Sequence, residues 1–111
     1  MSLDIDLIQT CPTCGHAEGY WANITHNLNE MADEAGIYGC VWRPEENGIT
    51  HAHQLIEPLT KGIADMKARP EHYKKFNAKN GWGMYKHFVP WLEELLTECK
   101  RIPNATISVS R

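Results

Sequence analysis

Residues 3–9 read LDIDLIQ and residues 105–111 read ATISVSR, two stretches with the same alternation at opposite ends of the chain. Leu3, Ile5 and Leu7 alternate with Asp4 and Asp6, and Ile107 and Val109 alternate with Ser108 and Ser110. A period of two places the apolar side chains on one face, as in a half-buried strand. Strands at the two ends of a 111-residue chain are expected to lie side by side in one small sheet, with GYWANI (19–24) as a third member.

Between them the chain reads as helix. Thr25 suits an N-cap ahead of HNLNEMADEA (26–35), whose apolar stripe is Leu28, Met31, Ala32 and Ala35, and Gly36 sits where a left-handed C-terminal cap is wanted. GIYGCVW (36–42) reads as a short turn or half-helix ended by Arg43-Pro44. Thr50 is expected to cap a second helix with the stripe Ala52, Leu55, Leu59, Ile63 and Met66, running through Pro58 as a kinked helix. Pro70 fits the first position of a short helix over PEHYKKF. The last helix runs from about Met84 to Lys100, with Phe88, Leu92, Leu95, Leu96 and Cys99 on one face. The fold class is α+β, mainly helical, in one domain over 1–111 with a small sheet of two or three strands joining the terminal segments.

Composition narrows the function classes. Hydrophobic residues make up 42% and charged residues 23%, an ordinary globular balance that excludes wholesale disorder. The net charge is −3 with Lys and Arg scattered, so no basic stripe for phosphates is present and nucleic acid is not an expected partner. The start MSLDIDLIQT has no cationic region and no apolar run of signal length, and nothing elsewhere reads as a membrane span. A cytoplasmic location is expected. The four cysteines then read as thiols or metal ligands rather than disulfides.

Cys11-Pro12-Thr13-Cys14-Gly15 has the form of a zinc knuckle, in which two thiolates reach one tetrahedral ion and Gly relaxes the turn. One knuckle supplies two ligands and structural zinc takes four. His16, His26, Cys40 and His51 or His53 are the residues that could complete it, none at diagnostic spacing; the alternative is a turn holding free thiols. A strand followed by Cys-Pro-x-Cys also resembles the glutaredoxin active site, with RIPNATI (101–107) in place of the Pro before a strand. There the first Cys opens a helix that lowers its pKa, whereas GHAEGYW (15–21) is a poor helix and a good loop.

The segment NITHN (23–27) concentrates groups that bind ligands. At 100° per residue, His26 falls on the side of its helix away from the apolar stripe. Its place in a first turn, with free backbone amides, suits an anion. Asn23 and Asn27 flank it with neutral donors and acceptors. The other reading is that Asn23 and Thr25 tie down a strand-to-helix junction while His26 faces water. Asn80-Gly81-Trp82-Gly83 sets a large aromatic on a permissive backbone, which suits a pocket wall or a contact surface. Trp42 stands in a second loop-like run, YGCVWRPEE (38–46), and core packing is the competing reading for each Trp. No nucleophile elbow, phosphate loop, HExxH or motif-placed carboxylate pair is present.

ANITHNLNEMADEAGIY (22–38), WRPEE (42–46), LIEPLTKGIADMK (55–67) and NGWGMYKHFVPWLEELL (80–96) together resemble a group of small uncharacterised proteins encoded by bacteria and their phages. The likeness runs from about Trp21 onward. Some members lack the N-terminal Cys pair, which implies that the knuckle is peripheral. The resemblance implies a bacterial or phage context and carries no activity, cofactor or catalytic residue.

The expected function is a non-enzymatic binding module for a small polar ligand or a protein partner, with Asn23, His26, Asn27, Trp42, Asn80 and Trp82 on one surface. The alternative is a small zinc protein using Cys11 and Cys14 with His16, His26 or Cys40. A thiol redox or hydrolytic enzyme stands third.

Overall fold

The computed structural model describes residues 2–111. Strand β1 (Ser2–Thr10) is the centre of a three-stranded antiparallel sheet, with β2 (Ala17–Thr25) on one side and β3 (Thr106–Ser110) on the other. Ile5 stands opposite Ala22 on β2 and Val109 on β3. Leu3, Ile5, Leu7, Ala22 and Ile24 therefore point to one face and are buried, joined there by the half-buried Ile107 and Val109. Asp4, Asp6, Ser108 and Ser110 occupy the other face, as the alternation requires. The fold class read from the terminal stretches is the one observed, and about half of the chain is helical.

A free strand edge invites pairing with another chain. Two carbonyls of β2 are taken up by side chains of the last helix. The Trp91 indole Nε1 donates to the Asn23 carbonyl at 3.1 Å, and Arg101 Nη2 reaches the Gly19 carbonyl at 3.4 Å.

Five helices give buried residues to the same core as the apolar face: α1 (Asn29–Glu34), α2 (Tyr38–Trp42), α3 (His53–Ala68), α4 (Pro70–Lys74) and α5 (Tyr85–Arg101). A 3-10 turn over His26–Leu28 leads into α1, and the Thr25 hydroxyl accepts the Asn27 amide at 3.3 Å, the expected cap. Gly36 closes the segment at φ 76°, the left-handed conformation in which a Cβ would be strained. Pro58 lies inside α3 without dividing it, and Pro90 lies inside α5.

Two local expectations are corrected. Thr50 does not cap α3; the helix starts after Ala52, and the longer Gln54 side chain reaches back so that its Oε1 accepts the amides of Thr50 (2.8 Å) and His51 (3.0 Å). Leu96 is only half-buried, and Val89 is buried in the α5 face instead.

The core is one contiguous cluster. Tyr73 of α4 is fully buried; burial first, and then its bond to the Asp65 carboxylate, push its phenol up to about 12. Asp65 is held below the usual carboxylate range, first by Arg69 and then by Tyr73.

Gly62 marks the closest approach in the core. A Cβ there would lie 2.5 Å from Ile37 Cγ2, and Ile37 is fully buried on a stiff β-branched side chain. Gly62→Ala gains about 1 kcal/mol of helix propensity and loses about 1–3 kcal/mol to overpacking. The expected result is a lower urea midpoint than wild type. In an Ile37→Ala background the same substitution should raise the midpoint, because the clash is gone and the propensity gain remains.

Candidate functional site

The end of β2, the turn after it and the Asn77–Met84 loop face one another across an open cleft of about 1020 Å³. Asn23, His26, Asn27, Asn80 and Trp82 all line it, so most of the residues picked from the sequence meet in space. Ser2, Met84 and His87 complete the rim.

The loop is fastened at both ends. The Ala78 amide donates to the Gly83 carbonyl at 3.0 Å, and the Gly81 amide to the Ala78 carbonyl at 3.1 Å. Asn77 Oδ1 accepts the Tyr85 amide at 2.7 Å, taking up one of the unpaired donors at the start of α5. The Asn80 carboxamide oxygen accepts the Trp82 amide at 3.0 Å. Asn27 Nδ2 then donates to the Trp82 carbonyl at 2.7 Å and locks the loop to the turn after β2. Gly83 makes this approach feasible: its φ is 119°, and a Cβ there would fall 2.9 Å from Asn27 Cβ. With its backbone pinned, Trp82 presents its ring to solvent, 71% exposed.

Trp42 is corrected. It is 1% exposed and belongs to the core, stacked on Tyr38 (5.7 Å between ring centroids) and edge-on to Phe88 (6.2 Å). It still touches the site from beneath, because its Nε1 donates to His26 Nδ1 at 3.0 Å. That bond needs Nδ1 as an acceptor, so the neutral ring carries its proton on Nε2. His26 is thus neither merely solvated nor free to seat an anion on both nitrogens; it satisfies a buried indole.

The hydrogen bonds within the protein set what the cleft has left to offer. Asn23 Nδ2 is already spent on Ser2 Oγ (2.9 Å) and Asp4 Oδ1 (2.7 Å). Among the described residues, Asn23 Oδ1 and Asn27 Oδ1 remain as acceptors. Asn80 Nδ2, the Trp82 indole N–H and His26 Nε2–H remain as donors. No Asp, Glu, Lys, Arg or Cys lines the cleft among those residues.

The cysteines lie elsewhere. Cys11 and Cys14 sit at the tip of the β1–β2 hairpin, while Cys40 and Cys99 are in the core. Burial pushes the Cys40 thiol up to about 11 and the Cys99 thiol to about 12, as expected of inert structural thiols. Cys11 is held below its ordinary value by the Cys14 backbone amide, then the Cys14 thiol, then the Thr13 amide. Among the described residues no three His, Cys, Asp or Glu side chains form a group that could hold a metal ion. The five expected ligands are therefore not gathered at one point. Cys40 donates to the Ile37 carbonyl inside the core, His26 is bonded to Trp42, and the His16 ring stands 3.8 Å from Glu18.

His87 was not picked out from the sequence. It lies in the first turn of α5, and nothing in its neighbours separates it from an ordinary solvent-facing residue. No helix among the described residues is long and apolar enough to cross a membrane. No family model, curated protein or solved structure matches the chain.

Proposed function

We propose that the chain is a non-catalytic recognition module whose cleft takes a small uncharged molecule. That molecule carries hydrogen-bond donors and acceptors around a flat apolar face. The observation that carries this reading is the exposed Trp82 ring, set on a hydrogen-bonded loop beside unspent amide and imidazole groups, with no charged side chain lining the cleft among the described residues. A large aromatic costs solvation when left in water, and a flat apolar face of a ligand relieves that cost. Neutral amides pair with hydroxyl, amide or ring-nitrogen groups but supply no counter-charge to an ion.

The cleft is a concave, open site with polar groups converging on one aromatic ring, the arrangement small-molecule sites share. The groups whose pKa is clearly displaced, such as Tyr73, Asp65, Cys40 and Cys99, lie outside the cleft. Displaced values tend to gather where acid–base chemistry is done, so their position favours binding over catalysis.

Saturation-transfer NMR with size-matched neutral, anionic and cationic compounds tests this reading. Neutral compounds should give the strongest signals. Trp82→Ala should weaken the best of them at least tenfold, about 1.4 kcal/mol, and leave the thermal midpoint within a degree or two. Equal binding by wild type and Trp82→Ala would rule the cleft out.

A further inference from the structure

We propose that the tip of the β1–β2 hairpin is half of a shared metal site. In it, Cys11 and Cys14 of one copy, with the same two cysteines of a second copy, hold one zinc ion tetrahedrally.

The tip has the architecture such a half-site needs. Thr10 and Ala17 form the last pair of the hairpin, and the six residues between them make the turn. The Cys11 amide donates to the His16 carbonyl at 2.7 Å, and the Gly15 amide to the Cys11 carbonyl at 2.9 Å. Gly15, at φ 74°, allows the chain to double back, so that Cys11 and Cys14 stand in one tight turn.

Pro12 to Gly19 are exposed without interruption, so the tip projects beyond the body of the protein and can be approached by another molecule. Its stalk is tied to the last helix by one side chain. Arg101 of α5 reaches Glu18 and the Gly19 carbonyl, both at 3.4 Å, and the whole molecule is elongated, 48 Å in its longest dimension.

Two sulfurs do not hold structural zinc, which takes four ligands. Of the chain's own candidates, His26 is bonded to Trp42 and Cys40 is buried in the core, while His16, in the same turn, has its ring 3.8 Å from Glu18; no three His, Cys, Asp or Glu side chains form a group that could hold a metal ion among the described residues. A two-fold axis through the ion supplies two more sulfurs in the same geometry, from a surface already exposed on every copy. Binding then releases a proton from each cysteine that was protonated, and two chains plus one zinc ion give one dimer bridged by four zinc–sulfur bonds.

The test uses untagged full-length protein, reduced and stripped with chelator, titrated with cobalt(II) and then with zinc while mass is followed by light scattering. The expected result is tetrahedral thiolate–cobalt absorption that saturates at one ion per two chains, with a doubling of mass. Chelator should reverse both. Cys14→Ser should lose both while keeping the wild-type circular dichroism, since Cys14 is exposed and lies outside the core. Saturation at one ion per chain without a change in mass would overturn the shared site. So would the absence of thiolate–cobalt absorption, or a mass doubling that survives Cys14→Ser.

Discussion

Trp42→Ala is expected to cost about 3–5 kcal/mol of folding stability, the usual range for truncating a large buried aromatic. Single domains of this size are stable by about 5–15 kcal/mol, so the variant should unfold at much lower urea. The loss has two parts that separate experimentally. The first is packing against Tyr38 and Phe88. The second is the indole N–H, whose one partner is His26 Nδ1. His26→Ala leaves that N–H buried and unpaired, at a cost of about 1–3 kcal/mol. Trp42→Phe removes the donor and keeps most of the ring. In the Trp42→Phe background, His26→Ala should therefore cost much less than it does in wild type. The urea midpoints of the four proteins give the coupling directly. Additive effects would mean that the bond does not hold His26 in place.

Gly83→Ala is expected to have the second largest effect, and it reaches both stability and binding. A side chain at φ 119° is strained, at about 1–3 kcal/mol. The added Cβ also falls 2.9 Å from Asn27 Cβ and 3.4 Å from the Asn27 carbonyl carbon. These atoms belong to the backbone or adjoin it, so the clash is relieved only by moving the loop away from the turn. The bond from Asn27 Nδ2 to the Trp82 carbonyl should then break, and the cleft should widen. The expected outcome is a lowered urea midpoint together with loss of ligand binding, while Gly81→Ala, where the built Cβ meets nothing within 4 Å, should lower the midpoint less. A Gly83→Ala protein that binds as well as wild type would show that the Asn27–Trp82 lock is not needed.

The sheet was legible in the sequence because each strand buries one face only, so Leu3, Ile5, Leu7, Ile107 and Val109 had to alternate with polar residues. The face of α5 was legible for a similar reason at helical spacing. The start of α3 was misread because the amides a Thr50 cap would take, those of Ala52 and His53, donate instead to the Ala105 and Pro103 carbonyls, while Gln54 reaches back to the Thr50 and His51 amides. Local pattern does not expose those partners.

The two halves of the cleft each stood out as punctuation, NITHN as a junction and NGWG as a turn. Their meeting did not, because Asn27 and Trp82 are 55 residues apart and are joined only once α5 is packed beside β2. Trp42 was misplaced for the same reason. Its short helix shows no apolar period long enough to reveal a buried face, and the rings that cover it include Phe88 from the far end of the chain.

The most direct test of the binding account is the 1H–15N spectrum of labelled protein, titrated with the strongest neutral compound from the screen. The indole N–H signals report on four tryptophans at once. The account predicts that the Trp82 indole and the side-chain amides of Asn27 and Asn80 shift together and saturate with the affinity measured by binding. The exposed Trp21 indole on the open sheet face should stay still. Shifts centred on Trp21 or the hairpin tip, with Trp82 unmoved, would contradict it.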